Sequence, residues 1–245
     1  MYSKLYEDIN HIEPHIIAHR GYWNTLNSAQ NSWTALELAN NLGLYGSEFD
    51  VHLTADNIPV IHHDKHISGL NIQKTPYIMI QHCLLTNGEK LPKLEDFLRN
   101  SKDLKIKLIL ELKPHESPER DREAMKIVYN MVKTMGMEDR VEYISFSLEA
   151  GKTLIQLSSK DKISYLSGDL TPRQLKDYGF TGLDYSLAKM KKHPEFFKQA
   201  KDIGISINIW TVNQPSVIKT MIERGADFIT TDKPAYAKTL MVKHQ

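Results

Sequence analysis

The sequence predicts an α/β protein built as a (βα)8 barrel, or TIM barrel, with a short insertion after the second strand at about residues 56–90. Its 245 residues match the length of about 250 that one such barrel typically needs. Short runs rich in β-branched residues alternate with longer amphipathic segments, which is typical of repeated βα units and a parallel sheet. We therefore expect one domain over residues 1–245.

Eight apolar runs are predicted as barrel strands, which is the number that closes a barrel. In chain order they are 15–19, 47–53, 107–112, 141–146, 163–166, 182–185, 206–211 and 228–231. Helical patterns lie between them, and several begin with Ser or Pro and are followed by Gly. These patterns include 32–42, 122–135, 148–158, 194–203 and 215–223.

The alternation is interrupted between the second and third barrel strands. A turn is predicted at 55–57, a strand at 58–61 and irregular structure as far as Glu89. The pattern at 91–98 then begins the helix that returns to the barrel, with Glu95 and Asp96 near its positively polarised start.

Composition excludes several classes of function. Lys plus Arg number 31 and Asp plus Glu 30, a formal charge of +1, so no strong basic field is expected to hold nucleic acid or an anionic membrane. The one cysteine, Cys83, cannot form an internal disulfide. No run reaches the roughly 20 apolar residues of a membrane span, so stable membrane insertion is not expected. A small-molecule partner and a cytoplasmic location follow, or export if a signal peptide has been removed; the oligomeric state stays open.

Carboxylates at the ends of two predicted strands indicate a metal site. Glu48 and Asp50 leave the same face of one strand, whereas Phe49 and Val51 suit the outer face that the helices cover. Glu111 ends the next barrel strand. Three carboxylates at the active-site end of a barrel favour one hard divalent cation, Ca²⁺ or Mg²⁺.

Two cationic residues lie beside these carboxylates in the sequence. Lys113 shares a face with Glu111, and either it joins the site or the two residues form a surface ion pair. Arg20 can hold phosphate oxygens in a bidentate manner, or it can form a salt bridge towards the helices.

Two histidines, His19 and His63, end apolar β runs. Such a pair can supply one neutral imidazole that accepts a proton and one imidazolium that donates one near pH 7. From the residues alone His62 competes with His63, because strand alternation sends the two to opposite faces. Trp210 is either a wall of the substrate pocket or a core aromatic. No Gly-rich phosphate loop is present, so nucleotide cofactors are not indicated.

Six ordered motifs spread over about residues 15–236 resemble the glycerophosphodiester phosphodiesterase family. They are His19-Arg20-Gly21, Glu48-x-Asp50, the run from Pro59 to Asp64, Glu111-x-Lys113, the run from Trp210 to Asn213, and the run from Ile229 to Pro234. The resemblance implies a metal-dependent enzyme that hydrolyses glycerophosphodiesters to sn-glycerol 3-phosphate and an alcohol.

The resemblance also implies residue roles. His63, preferred over His62 because it directly precedes an aspartate, and His19 would be the acid–base pair, with His63 as base. The ligands of the divalent cation would be Glu48, Asp50 and Glu111. The substrate would contact Arg20, Lys113 and Trp210. The glycerol 2-hydroxyl would attack the phosphorus to give a cyclic phosphate, which water then opens.

Two departures separate the chain from the usual family pattern. Residues 29–32 read Ala-Gln-Asn-Ser where the family usually has Pro-Glu-Asn-Thr. Gln30 therefore replaces a carboxylate near the site, which is expected to affect metal preference or affinity, whereas Asn31 and Ser32 can still cap a helix. The stretch after Asp64 also lacks the family's common continuation, which bears on the alcohol that is accepted.

Two alternatives remain open from the sequence. The same groups can cleave lysophospholipids or sugar phosphodiesters, since the phosphodiester chemistry is shared. The chain can also be a catalytically silent barrel that binds a phosphodiester or a protein.

Overall fold

The computed structural model describes residues 15–242, which form a closed barrel of eight parallel strands. The eleven strands are β1 (His15–Ala18), β2 (Gly46–Leu53), β3 (Pro59–Ile61), β4 (His66–Ile67), β5 (Leu70–Asn71), β6 (Lys107–Leu112), β7 (Val141–Ser145), β8 (Ile163–Tyr165), β9 (Gly182–Ser186), β10 (Ser206–Trp210) and β11 (Phe228–Thr231).

The barrel closes because β1 pairs in parallel with both β2 and β11. From β2 the order continues through β6, β7, β8, β9 and β10 to β11. The predicted fold, with eight barrel strands and an insertion after the second, is confirmed. The observed strands end within two residues of the predicted ends.

Ten α-helices connect and cover the strands within the described range. They are α1 (Trp33–Asn41), α2 (Tyr77–Ile80), α3 (Leu94–Asn100), α4 (Pro118–Thr134), α5 (Leu148–Leu157), α6 (Pro172–Tyr178), α7 (Leu187–Lys192), α8 (Glu195–Ile203), α9 (Pro215–Glu223) and α10 (Pro234–Val242). The side-chain hydroxyls of Ser or Thr cap the N-termini of several of these helices. Ser117 accepts a hydrogen bond from the Arg120 N–H, so α4 begins before the predicted residue 122. Such caps satisfy backbone donors that a helix start leaves unpaired.

The main hydrophobic core lies between the barrel and its helices. Phe49 and Val51 of β2 face outwards into this core, where the Phe49 ring lies 5.0 Å from that of Phe97 on α3. A smaller aliphatic cluster, formed by Ile17, Ile109, Ile144 and Leu166, comes from the inward faces of the barrel strands. The outward phase of Phe49 and Val51 turns Glu48 and Asp50 inwards, as the sequence predicted.

The insertion folds against β2 and has its own small core. β3 runs antiparallel to β2, and β4 pairs with β5 as a hairpin. The core of the insertion consists of Val60, Ile67, Ile72, Ile80 and Leu91. The stretch that was predicted to be irregular therefore contains two short strands and a helix, because these scattered apolar residues meet only in three dimensions.

The insertion also holds the loop that follows β1. The carboxylate of Glu89 accepts the backbone N–H groups of Trp33 and Thr34 at 2.8 and 3.1 Å. These two donors belong to the first turn of α1, where a negative charge is stabilising. The barrel strand β1 thus fixes the start of the loop between β1 and α1, and Glu89 of the insertion fixes its end.

No helix within residues 15–242 is long and apolar enough to cross a membrane.

Gly21→Ala is expected to lower the free energy of unfolding by about 3 kcal/mol. Gly21 has a φ of +79°, and a Cβ placed on it would lie 2.6 Å from the Cβ of Ala35. A left-handed non-glycine residue costs about 1–2 kcal/mol, and overpacking adds about 1–3 kcal/mol. Urea denaturation measures the change. Gly88→Ala is the matched control, because Gly88 has a φ of +87° with nothing within 4 Å. Equal losses in the two variants would show that the contact with Ala35 does not matter.

Candidate active site

Three carboxylates converge inside the carboxyl end of the barrel. Glu48, Asp50 and Glu111 are buried, and each offers an oxygen within 4.8 Å of the others. Asp50 and Glu111 are register partners on the neighbouring strands β2 and β6. Because paired residues of parallel strands point to the same side, this register places the two carboxylates next to each other.

The Lys113 ammonium lies between two of these carboxylates. Its Nζ atom is 2.6 Å from Asp50 Oδ1 and 2.7 Å from Glu111 Oε1. The side chain of Lys113 is only 12% exposed. The alternative of a surface Glu–Lys pair is therefore wrong, and Lys113 belongs to the cluster.

Burial and mutual repulsion separate the pKa values of the three carboxyls. Burial, followed by the neighbouring Asp50 and Glu111, raises the pKa of Glu48 well above its usual range. Burial and Asp50 raise the pKa of Glu111 to about 7. Burial also opposes ionisation of Asp50, but the Lys113 ammonium and the Asn31 amide outweigh it and lower its pKa to about 2. One carboxylate is therefore firmly ionised, and the other two hold protons easily.

Arg20 contacts the cluster through its backbone and its side chain. Its N–H donates to Glu48 Oε2 at 2.7 Å, in a left-handed conformation with a φ of +56°. Its guanidinium donates to Gln30 Oε1 at 2.6 Å, and its Nε lies 3.7 Å from Asp50 Oδ2. The guanidinium thus faces the site and not the helices. Gln30 holds Arg20 and is not a member of the acidic cluster.

Asn31, which the sequence predicted only as a helix cap, is a residue of the site. Its amide donates to Asp50 Oδ2 at 2.8 Å, and its Oδ1 accepts the Asp50 N–H at 3.1 Å. The cap of α1 is instead Ser32, whose Oγ accepts the Ala35 N–H at 3.0 Å. Asn31 has a left-handed backbone with a φ of +64°, a conformation that Asn tolerates better than most residues. An asparagine directly before a good helix cap was therefore the signal in the sequence for this conformation.

His19 is oriented by a carboxylate that directly follows the last barrel strand. Its Nδ1 lies 2.7 Å from Asp232 Oδ1, and the Asn213 amide donates to Asp232 Oδ2 at 2.7 Å. Burial opposes ionisation of Asp232, but the hydrogen bonds from His19 and Asn213 outweigh it and lower its pKa. Asp232 and Asn213 were quoted as motif residues without a role, and their contacts place both behind His19.

His63 has a similar partner at the other side of the site. Its Nδ1 lies 2.7 Å from Asp64 Oδ1, and its side chain is 37% exposed. Burial, the largest cause, lowers its pKa below the usual value. His62 and His63 line one cavity, and not opposite faces of a strand as the sequence predicted, because β3 ends at Ile61 before both histidines.

This cavity of about 590 Å³ opens beside His63. Its walls come from the loop after β1 and from the insertion, and they include Trp23, Gln30, His62, Leu84, Leu85 and Thr86. Trp210 lies on the far side of the barrel interior, where its indole N–H donates to the Asp184 carbonyl at 2.9 Å. Its ring meets that of Phe146 edge to face at 5.7 Å. Trp210 is thus packed on one side and partly exposed on the other.

These groups define a class of site. Three carboxylate oxygens lie close enough together to share one hard cation. Two cationic side chains can bind phosphate oxygens. In each of the two histidines the aspartate contacts Nδ1, so Nε2 is the ring nitrogen left for a substrate. Such groups at the carboxyl end of a (βα)8 barrel suit the binding of a phosphate ester beside a divalent cation.

The chain belongs to the Glycerophosphoryl diester phosphodiesterase family, whose profile matches residues 19–236. The predicted family and enzyme class are thereby confirmed.

Relatives and solved structures agree with this membership. A crystal structure of a glycerophosphodiester phosphodiesterase from Parabacteroides distasonis superposes with a TM-score of 0.94 at 48% identity, covering 95% of this chain and 98% of that one. The Probable glycerophosphodiester phosphodiesterase 2 of Mycobacterium tuberculosis is 23% identical over 92% of this chain and 90% of its own length. An Oleispira antarctica phosphodiesterase, solved with the product sn-glycerol 3-phosphate, shares the fold with a TM-score of 0.80 at 24% identity, over 94% of this chain and 97% of that one.

Asn31→Ala is expected to lower the free energy of unfolding by about 3 kcal/mol, because it leaves the buried N–H and carboxylate of Asp50 without these partners. The matched control is Asn27→Ala. Asn27 has a φ of +61° but is exposed, so the control costs only about 1 kcal/mol of backbone strain. Urea denaturation compares the two variants. If both lose the same stability, the hydrogen bonds to Asp50 do not stabilise the fold.

Proposed function

We propose that this chain hydrolyses glycerophosphodiesters to sn-glycerol 3-phosphate and an alcohol, with one divalent cation and two catalytic histidines. The observation that carries the proposal is the convergence of Glu48, Asp50, Glu111, Arg20 and Lys113 between two carboxylate-paired histidines. The names of the relatives from Parabacteroides and Mycobacterium support the reaction, and so does the product in the Oleispira structure. The substrate is then a small molecule, and one barrel domain is sufficient for the reaction.

The residues present fit a divalent cation. Glu48 Oε1 is buried without a hydrogen-bond partner among the described residues, and an unpaired buried carboxylate oxygen is costly. Ligands of one Ca²⁺ at about 2.4 Å lie at most about 4.8 Å apart, which agrees with the separation of the three carboxylate oxygens. We infer that Glu48, Asp50 and Glu111 hold Ca²⁺ or Mg²⁺. When bound, the cation offsets negative charge that develops on the phosphate oxygens.

Arg20 and Lys113 orient the phosphodiester. Both side chains are largely buried, and charged donors are stronger in a site with little water. Lys113 also neutralises part of the acidic cluster, which reduces the repulsion between the carboxylates and the phosphodiester monoanion. Trp210, partly exposed above Phe146, forms an apolar wall for the substrate.

The two histidines move the protons. His63, whose pKa burial lowers, is neutral near pH 7 and accepts the proton of the glycerol 2-hydroxyl. The 2-oxygen forms a bond to phosphorus, the bond from phosphorus to the alcohol oxygen breaks, and His19 donates a proton to that oxygen. Water then opens the cyclic phosphate: His19 accepts a proton from the water, and His63 returns one to the 2-oxygen. Both histidines regain their starting states.

Incubation with glycerophosphocholine or glycerophosphoethanolamine is expected to release sn-glycerol 3-phosphate, and EDTA is expected to abolish the release until Ca²⁺ or Mg²⁺ is restored. Calorimetry gives the metal affinity independently of turnover. That affinity should rise from pH 6 to pH 8, because the raised pKa values of Glu48 and Glu111 couple metal binding to proton loss.

Glu48→Gln should weaken cation binding by more than about tenfold, since even outer-shell partners of a metal carry about that much. Glu95→Gln, on the exposed face of α3, is the matched control. Activity that persists in EDTA would refute the metal site.

A panel with a lysophospholipid and a sugar phosphodiester identifies the preferred alcohol, and absence of hydrolysis of every substrate would indicate a silent barrel.

His19→Ala and His63→Ala are each expected to lower kcat about 10²- to 10⁴-fold, the usual contribution of a general acid or base. His62→Ala should retain most of the activity. Because His63 acts as a base with a lowered pKa, the acid limb of kcat/KM should have its midpoint below the ordinary histidine value of about 6.5. An equal loss in His62→Ala, or a midpoint above that value, would contradict the assignment.

A further inference from the structure

A second buried carboxylate lies in the barrel outside the proposed catalytic groups. Asp184 on β9 is 2% exposed. Its Oδ2 accepts a hydrogen bond from the Asn208 amide at 3.0 Å, whereas Oδ1 has no hydrogen-bond partner in the part of the chain that the structure describes. The same Asn208 amide donates to Thr230 Oγ1 at 2.9 Å, so both of its N–H groups are already hydrogen-bonded and neither is left for Asp184 Oδ1.

The carboxylate of Asp184 is not needed to position Trp210. The indole N–H of Trp210 donates to the backbone carbonyl of Asp184, which any residue at 184 would provide. Burial raises the pKa of Asp184 to about 7; the hydrogen bond from Asn208 opposes this rise, and the negative charge of Glu111 adds to it. Asp184 Oδ1, a buried acceptor with no partner among the described residues, therefore calls for a ligand.

Asp184 lines a cavity of about 310 Å³ at the amino-terminal end of the barrel. Hydroxyl oxygens accompany it there, from Ser164, Thr181 and Ser206. Gly182 keeps this space open, because a Cβ at position 182 would collide with the hydroxyls of Ser164 and Ser206. The aliphatic cluster residues Ile17, Ile109 and Ile144 also line the cavity. Ile17 and Ile109 come two positions before His19 and Glu111 in the chain, so the cavity lies towards the amino-terminal end from these two residues.

The charges in this cavity leave one net negative group. Glu142 and Lys162 both line it and neutralise each other at 2.9 Å. Burial raises the pKa of Tyr143, so its phenol is neutral. Ionised Asp184 is then the one uncompensated charge among the described lining residues. A divalent cation prefers more than one carboxylate, whereas a single carboxylate with neutral oxygens matches one positive charge.

We propose that this cavity is a binding site for a small monovalent cation, Na⁺, K⁺ or NH₄⁺, held by Asp184 Oδ1 together with the serine hydroxyls. Cation binding compensates the buried charge at the end of the barrel opposite the catalytic groups. It therefore stabilises the fold without taking part in the proposed reaction.

The test uses the whole chain in EDTA at pH 8.5, where Asp184 is ionised. Thermal unfolding is measured in chloride salts of Na⁺, K⁺ and N-methylglucamine at equal ionic strength. We expect Na⁺ or K⁺ to raise the Tm of the wild type by about 3 °C over N-methylglucamine, as binding to the folded state alone predicts. Crystals soaked in Tl⁺ should show an anomalous peak beside Asp184 Oδ1.

Asp184→Asn is isosteric and keeps the acceptor for Asn208, so it should fold and lose both the ion-specific Tm shift and the Tl⁺ peak. Ser206→Ala removes one hydroxyl and should weaken the shift. Asp139→Asn, an exposed position, controls for the change in net charge and should leave the shift intact. The proposal is overturned if all three salts give the same Tm, if Asp184→Asn keeps the shift, or if the site holds only water.

Discussion

The pairing of Asp50 with Glu111 across β2 and β6 is the constraint on which the site depends. Three buried carboxylates cannot all be ionised in a dry interior without compensation. The Lys113 ammonium supplies part of it at 2.6 and 2.7 Å, and the loop after β1 supplies hydrogen-bond donors. Arg20 donates to Glu48 and Asn31 donates to Asp50, both from left-handed backbone conformations. The need to provide donors for the buried carboxylates thus accounts for the unusual backbone of this loop.

The interior of the barrel is divided into layers with different chemistry. Charged and hydrogen-bonding groups occupy the carboxyl end, where loops supply the histidines and their aspartates. An aliphatic layer of Ile17, Ile109, Ile144 and Leu166 lies beneath. Below it, Asp184 faces a separate polar cavity. The negative charge of Glu111 still raises the pKa of Asp184, so the carboxylates in the barrel interior are not electrostatically independent.

The insertion links the fold to the site. Its small core is built from residues that show no regular period along the chain, yet it places Glu89 at the start of α1 and the 84–86 segment beside His63. The β1–α1 loop is therefore held between the barrel and the insertion. Such a loop can keep strained residues in place, since contacts on both sides determine its conformation.

The sequence by itself determined the barrel, the inward phase of Glu48 and Asp50, and the family. Strand periodicity and motif order are local properties, and a residue's face on a strand follows from its number alone. It did not determine that Asn31 binds Asp50, that Asp232 and Asn213 hold His19, or that His62 and His63 line one cavity. These contacts join residues as far apart as 213 positions. They depend on barrel closure and on loop conformation, which only the packing of the whole chain decides.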